Sequence, residues 1–305
     1  MIGCAVLSIL TTFSIIAVLL DESRRFFQMK DVSLGEFFLT TTWQPLLGAE
    51  KHFGIWPLVC GTLLVTAVAA VLALPLGLIT AIYLSEYAPR RVRAFLKPIL
   101  EVLAGVPTVV YGYFALETIT PTLQWVHGRI AGASSSLGWL PDGLSAWINK
   151  PIDSYNAASA GLAVGIMTLP IVCSLSEDAL QAVPRSLREG AYALGGSKFD
   201  VSTRIVLPAA LSGVVASYIL AIARATGETM IVALAAGGLS QLTMDPRDQV
   251  QTMTGYMVQI FLGDTASGGV EYYSSYAVAA MLFLMTLGLT LIGNRVLARF
   301  REVYQ

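Results

Sequence analysis

Two charged residues, Arg224 and Glu228, lie within a long apolar stretch, AIARATGETMIVALAAG, that starts at Ala221. A charge at the centre of a membrane helix costs about 2.5–3.5 kcal/mol on insertion scales, and such charges usually serve a function. In a continuous helix, a spacing of four residues puts both side chains on one face, where each can neutralise the other. We predict that both face the interior of a helix bundle, with Thr226 and Thr229 nearby.

The Arg224 guanidinium could bind a tetrahedral oxyanion, because its planar fork forms paired hydrogen bonds with oxygens of such anions. Glu228 would hold Arg224 in place and lower the affinity of Arg224 for the anion, so that the anion is released. A buried ion pair that only fixes helix packing is the alternative. Glu101 and Glu117 are further candidates, although Glu101 could simply extend to the membrane surface.

A second patterned segment spans residues 181–208 and reads QAVPRSLREGAYALGGSKFDVSTRIVLP. A short helix is expected from Ser186 to Leu194, with Ser186 as N-cap and Glu189 three residues later in a capping-box pattern. The pair Gly195-Gly196 should end this helix.

A second short helix is expected from Lys198 to Val206, before Pro208 marks the entry to the next apolar stretch. Two short helices joined by a glycine turn would form a compact knob. Leu187, Ala191 and Leu194 share one face of the first helix and could insert into a groove of a partner protein.

The elements that must position these residues are membrane helices. The 305 residues are 55% hydrophobic and 13% charged, whereas a soluble domain is about 25% charged. Because a span needs about 20 mostly apolar residues, six stretches qualify. They cover residues 2–20, 57–85, 98–126, 157–180, 207–238 and 276–297. The predicted fold is all-α with six transmembrane helices.

The distribution of Lys and Arg predicts the orientation, because cytoplasmic loops carry the excess of these residues. Eleven lie on one side: Arg90, Arg91, Arg93, Lys97, Arg185, Arg188, Lys198, Arg204, Arg295, Arg299 and Arg301. Seven lie on the other, in much longer loops of about 22–56, 127–156 and 239–275: Arg24, Arg25, Lys30, Lys51, Arg129, Lys150 and Arg247. We therefore predict that both termini and residues 181–208 are cytoplasmic.

Several functions are disfavoured by composition. A net charge of −1 gives no reason to expect nucleic-acid binding. Cys4, Cys60 and Cys173 lie in apolar runs without paired spacing, so no metal site is expected. The sequence has no G-x-x-x-x-G-K-[ST] phosphate loop and no H-E-x-x-H motif, so we expect no enzyme activity from this chain alone.

The segment from Glu189 to Pro208 resembles the cytoplasmic loop of ABC importer permeases, whose pattern is E-A-A, three residues, G, nine residues, I, one residue, L-P. The corresponding positions are Glu189, Gly190, Ala191, Gly195, Ile205, Leu207 and Pro208. The one departure is Gly190, where the family usually has Ala. The resemblance implies a type I permease fold, in which this loop is the coupling helix that sits in a cleft on the ATPase subunit.

Further segments resemble the phosphate ABC permease family: residues 100–116 (LEVLAGVPTVVYGYFAL), 182–195 (AVPRSLREGAYALG) and 224–237 (RATGETMIVALAAG). Residues 45–66 and 251–259 fit its PstC branch better than its PstA branch. In that family the Arg and Glu of the R-A-x-G-E-T stretch are implicated in phosphate transport, which corresponds to Arg224 and Glu228.

The resemblance also implies partners in the bacterial cytoplasmic (inner) membrane. These are a homologous second permease (PstA-like), two ATPase subunits (PstB-like) that would bind ATP and Mg, and a periplasmic or lipid-anchored phosphate-binding protein (PstS-like). The chain would then divide into a first helix and periplasmic segment (1–56), a transmembrane core with its coupling loop (57–297) and a cytoplasmic tail (298–305).

Two other readings remain open from the sequence. The chain could be an ABC permease for another oxyanion, such as molybdate, sulfate or phosphonate. It could also be an ion-driven secondary transporter, in which case the coupling-loop spacing would be accidental and no ATPase would be needed.

Overall fold

The computed structural model describes residues 2–30, 32–46, 51–135, 141–263, 265–266 and 268–299. Residues 300–305 of the predicted tail, including Arg301, lie outside this part of the chain. Four of the described helices are long and apolar enough to cross a membrane, and there are up to six spans if each of two bent pairs counts as one. The all-α membrane architecture is confirmed.

The elements within the described residues follow one another along the chain. They are α1 (Ile2–Phe27), α2 (Leu34–Leu39), β1 (Trp43–Gln44), β2 (His52–Phe53), α3 (Trp56–Ile82), α4 (Arg90–Ala104), α5 (Thr108–Phe114), α6 (Thr120–Ser135), α7 (Asp142–Asn149), α8 (Ala157–Ala182), α9 (Arg185–Ala193), α10 (Lys198–Asp200), α11 (Leu207–Ala209), α12 (Leu211–Thr226), α13 (Met230–Ala235), α14 (Met253–Leu262) and α15 (Val270–Arg299). Three π-helical turns extend this set: Tyr83–Tyr87 after α3, Ala115–Ile119 between α5 and α6, and Val201–Val206 between α10 and α11.

The centre of the fold is the pair α3 and α8, which pack closely against each other, with α12 against both. Glycine allows this approach, since a methyl group on Gly161 would lie 2.6 Å from Cβ of Val68. A methyl group on Gly77 would lie equally close, 2.6 Å, to a Val172 methyl group. Small residues at the contact therefore bring the two backbones together, as is common between membrane helices.

The third predicted span, residues 98–126, is wrong as a single helix. It is broken near Pro107, and α4 lies at 90° to the helix formed by Thr108–Ser134. Proline disfavours helical backbone at the preceding residue, which explains the break after Ala104. This stretch therefore forms two helices, the amphipathic α4 and a helix that starts at Thr108 and continues past residue 126, and the pair counts as one broken span.

The fifth predicted span, residues 207–238, is also divided. A bend of 70° separates Lys198–Ala209 from α12. Helix α12 then ends at Thr226, and α13 starts only at Met230. Hydropathy averaged over a window does not detect Gly227, where the backbone leaves the helix. This break determines where Arg224 and Glu228 point.

The predicted loop 239–275 contains a buried helix instead of loop alone. Helix α14 packs against α3, α13 and α15, and its residues Met253, Tyr256 and Ile260 are almost fully buried. The chain before it is anchored too, because Met253 N donates to Thr62 Oγ1 at 3.0 Å. On the same side of the fold, β1 and β2 form an antiparallel pair in which Trp43 lies opposite Phe53.

Candidate functional site

The break between α12 and α13 positions Glu228. Gly227 N donates to Ala223 O and ends α12. The Glu228 carboxylate then accepts hydrogen bonds from the backbone N–H of Met230 (3.1 Å) and Ile231 (3.4 Å). It thus satisfies two otherwise free donors at the start of α13. Glu228 is 8% exposed, so this buried carboxylate has a structural task that spacing alone did not suggest.

Arg224 points elsewhere. Within the described residues it forms neither an ion pair with Glu228 nor any other hydrogen bond or ion pair. The predicted pairing on one helix face is therefore wrong. Residues four apart share a face only in a continuous helix, and α12 ends between Arg224 and Glu228. Arg224 is exposed in this chain and lines an open cavity, and its predicted position facing the interior of a helix bundle stays a prediction.

The two threonines differ in position. Thr226 is buried, and its hydroxyl donates to Ile222 O at 2.8 Å. Thr229 is half-buried, and its hydroxyl donates to Gly227 O at 3.3 Å. Both hydroxyls thus bond to nearby backbone, and Arg224 is the polar side chain of the predicted group that is free to meet a ligand.

The cavity beside Arg224 has a volume of about 580 Å³ and lies between α4, α8 and α12. Most of its wall is apolar, with Leu220, Leu175 and Pro170 among the lining residues. Glu101 and Ser174 also line it. The wall thus offers one cation, one hydroxyl and one carboxylate, which suits a small polar ligand.

The segment 181–208 forms a knob at one end of the helix bundle. Helix α9 ends before Gly195, which has φ of +83° as the glycine stop predicts. The predicted capping box is absent, because α9 starts at Arg185 and Ser186 lies inside it. The second helix is not regular, since α10 is followed by the π-helical turn Val201–Val206. Its N-cap is Ser197, whose hydroxyl accepts from Asp200 N.

The apolar face of α9 points into the fold. Leu187 and Ala191 pack beside a buried cluster that includes Val201 and Val206, so the predicted insertion of these two residues into a partner is wrong. Leu207 packs on the same cluster. The residues that project outward are Glu189, Gly190, Tyr192, Leu194, Gly195, Phe199, Ile205 and Pro208. Leu194 is 91% exposed, and no other described residue covers it.

Arg188 fixes α9 to the ends of two long helices. Its guanidinium donates to Leu180 O and Val183 O, each at 2.7 Å, and to Glu86 Oε1 at 3.2 Å. Leu180 belongs to α8, and Glu86 lies in the π-helical turn that follows α3. The side chains of Arg188 and Glu86 are 17% and 7% exposed. A displacement of α9 must therefore move both helix ends or break these bonds.

Glu177 anchors α4 to α8. Its carboxylate accepts from Arg93 Nε at 2.6 Å and lies 3.3 Å from Lys97 Nζ. The side chain is only 1% exposed, although it lies in the last turns of α8. A buried carboxylate is retained only when paired, and here the two cations of α4 supply the pairing.

At the opposite end, a polar cluster joins α7 to the segment before α14. Arg247 donates to the Asp245 carboxylate and to Trp147 O, the latter at 2.6 Å. Its guanidinium also stacks 4.5 Å from the Trp147 ring centre. The hydrogen bond from Arg247 holds the pKa of Asp245 well below its usual range, and Lys150 adds to this effect. The cluster thus ties α7 to the segment that leads into α14.

Within the described part of the chain, no group of three or more His, Cys, Asp or Glu side chains is placed to hold a metal ion. The polar groups on the cavity wall are Arg224, Ser174 and Glu101, and the knob presents exposed apolar side chains.

Comparison with known proteins decides the family. Residues 73–302 match the model of the binding-protein-dependent transport system inner membrane component. The PstC phosphate transport permease of Xylella fastidiosa is 30% identical over 90% of this chain and 82% of its own length. The PstC protein of Mesorhizobium japonicum is 31% identical over 88% and 80%.

The chain belongs to this permease family, in its PstC branch. A probable ABC transporter permease of Bacillus subtilis, YqgH, is also 29% identical over 99% of this chain and 89% of its own. The PstC-branch chain is thus an integral membrane protein of the ABC permease class. The resemblance expected from residues 189–208 and 224–237 is confirmed.

Solved structures agree on the fold. A bacterial alginate ABC transporter chain superposes with a TM-score of 0.61 at 12% identity, covering 98% of this chain and 96% of that chain. A chain of the MetNI methionine ABC transporter gives 0.55 at 15% identity, covering 82% and 95%. The PstC-branch chain therefore has the type I importer permease fold.

The sequence did not indicate two side-chain pairs of the site, and it suggested too small a role for Glu101. Arg188 and Glu86 are 102 positions apart, and Arg93 and Glu177 are 84 apart, so nothing local indicated either pair. Glu101 was noted but given less weight than Arg224, because its position suggested a side chain at the membrane surface. Only the bend after α4 places it on the same cavity.

Proposed function

We propose that this chain is the permease subunit of an ATP-driven importer of inorganic phosphate, and forms the translocation pathway with a homologous second permease. Support comes from the PstC relatives, which are phosphate transport system permeases by name. The observation that carries the proposal is Arg224, a guanidinium without a partner among the described residues on the wall of a cavity. Such a group suits an oxyanion.

The remaining partners follow from the same proposal. A pair of PstB-like ATPase subunits would bind ATP and Mg and dock on the knob. The exposed Leu194, Phe199 and Tyr192 suit an apolar cleft, and Glu189 would lie at its edge. A PstS-like phosphate-binding protein would dock at the opposite end, where Lys150 remains 42% exposed.

We further propose that the protein lies in the cytoplasmic membrane of a bacterium with both termini in the cytoplasm. The excess of Lys and Arg at the end that bears α4 and α9 supports this orientation. A cysteine introduced at Ser186 should react with a membrane-impermeant thiol reagent in inverted vesicles. Reaction in right-side-out vesicles alone would reverse the orientation.

Uptake of radiolabelled phosphate by cells that depend on this transporter tests the function. Uptake should require this chain and the ATPase, and excess unlabelled phosphate should compete while molybdate, sulfate and phosphonate do not. Uptake blocked by molybdate but not by phosphate would favour the other oxyanion. Purification without an ATP-binding partner, with uptake driven by an ion gradient, would favour a secondary transporter.

A further inference from the structure

The cavity between α4, α8 and α12 contains two opposite charges that do not neutralise each other. Glu101 and Arg224 both line it and both are exposed to it. Among the residues that the structure describes, neither side chain has an ion pair or a hydrogen bond. The two groups are not bonded to each other, so both remain available to a ligand in the cavity.

Neighbouring charges behave differently. Arg93 and Lys97 on the same helix as Glu101 are paired with α8, and Arg188 is bonded to α8 and to Glu86. Arg93, Lys97 and Arg188 thus have partners, whereas the two charges on the cavity wall have none among the described residues. Ser174 on α8 adds a hydroxyl that can donate or accept.

The three groups differ in what they can bind. A guanidinium offers only donors, while an ionised carboxylate offers only acceptors. A ligand that meets both must present acceptor oxygens on one side and an O–H donor on the other. Inorganic phosphate near neutral pH meets this condition, because it keeps at least one proton. Sulfate does not, because each of its oxygens is an acceptor and would oppose the carboxylate.

We propose that Glu101, Ser174 and Arg224 form a binding site for a protonated tetrahedral oxyanion. Glu101 determines specificity in this site because its carboxylate accepts a hydrogen bond that the ligand's O–H group donates. This inference rests on the proposed function and adds a second selection step within the membrane. Glu101 discriminates because a sulfate oxygen has no proton to donate to the carboxylate, and the two negative groups repel each other at close range.

The test uses the intact solubilised transporter with Leu175→Cys as reporter, since Leu175 lines the cavity and is 38% exposed. Cys4, Cys60 and Cys173 are replaced first. Labelling by an anionic thiol reagent is then measured while phosphate or sulfate is added. Phosphate should protect the reporter at concentrations at which sulfate does not.

In Glu101→Gln, sulfate should also protect the reporter from labelling. The half-protecting concentration of sulfate divided by that of phosphate should fall by at least about tenfold relative to the parent. Glu117→Gln is the matched control, because Glu117 is exposed on the next turns of the same broken span but does not line the cavity. It should behave as the parent. Co-purification of the ATPase checks that each variant assembles.

An unchanged ratio in Glu101→Gln would overturn the specificity role. Absent protection by phosphate in a complex that transports radiolabelled phosphate normally would overturn the site but leave the proposed function intact. A complex that transports no phosphate at all would instead refute the proposed function.

Discussion

Replacing Arg188 with Gln tests how motion of the coupling segment reaches the membrane helices. The guanidinium bonds to two backbone carbonyls at 2.7 Å and to Glu86 at 3.2 Å, and a Gln amide cannot span all three. With side chains 17% and 7% exposed, the loss leaves Glu86 buried without its cation. Removing one partner of a buried pair costs about 3–5 kcal/mol.

That energy acts on the docking of α9 more than on the whole fold, because α8 and α3 retain their packing. Each 1.4 kcal/mol is a factor of ten. The ratio of docked to undocked α9 should therefore fall roughly a hundredfold to a few thousandfold. Phosphate uptake should be lost, while the variant still inserts and binds the ATPase through its exposed surface.

The measurements are uptake, ATPase activity of the purified complex and hydrogen exchange of residues 185–193. Exchange should accelerate within α9, and ATP hydrolysis should lose its dependence on the binding protein. Arg185→Gln is the control, since Arg185 lies on the same helix, is exposed and has no ion pair among the described residues. The double variant Arg188→Gln/Glu86→Gln should weaken the docking of α9 by less than the sum of the free-energy changes of the two single variants.

Normal uptake and unchanged exchange in Arg188→Gln would refute the reasoning. So would strictly additive effects of Arg188→Gln and Glu86→Gln, because additivity means that the two groups are not coupled.

Three further outcomes are expected. Arg224→Gln should abolish phosphate uptake without loss of assembly. Arg224→Lys should also reduce uptake strongly if the guanidinium forms paired hydrogen bonds with the anion. Full uptake by the Lys variant would instead favour a role that needs only positive charge. Gly195→Leu should reduce ATPase co-purification or its stimulation, because φ of +83° costs an L-residue about 1–2 kcal/mol; unchanged coupling would contradict this. Glu228→Ala removes the carboxylate that caps α13 and should lower the stability of the folded protein by about 0.5–2 kcal/mol. Glu228→Gln keeps an acceptor oxygen and should lose less. Equal loss of assembled protein in both variants would contradict a capping role.

The pH dependence of the outer cluster follows from Asp245. Its pKa is lowered in the folded state, so its stabilising contribution is present above the unfolded pKa of about 3.9 and is lost only as pH falls through the lower folded value. Hydrogen exchange of residues 142–149 should therefore stay constant from about pH 5 to 8 after correction for intrinsic rates. Asp245→Asn should raise exchange across that range, and a transition near neutral pH in the parent would contradict the assignment.

The sequence determined the features that depend on local chemistry. Hydrophobic composition and span length specified an all-α membrane protein, since lipid admits only backbones that satisfy their own hydrogen bonds. The glycine stop at Gly195 followed from residue type, and the spacing from Glu189 to Pro208 identified the family. These patterns keep their meaning whatever the rest of the chain does.

Tertiary structure decided which side chains meet. The break at Gly227 turned Glu228 toward α13 and left Arg224 on the cavity, although their spacing suggested a pair. The bend after α4 places Glu101 on the same cavity. Arg188 forms a hydrogen bond with Glu86, which lies 102 positions earlier in the chain. Such contacts depend on where several helices end and cross, and hydropathy and spacing within one segment carry no information about either.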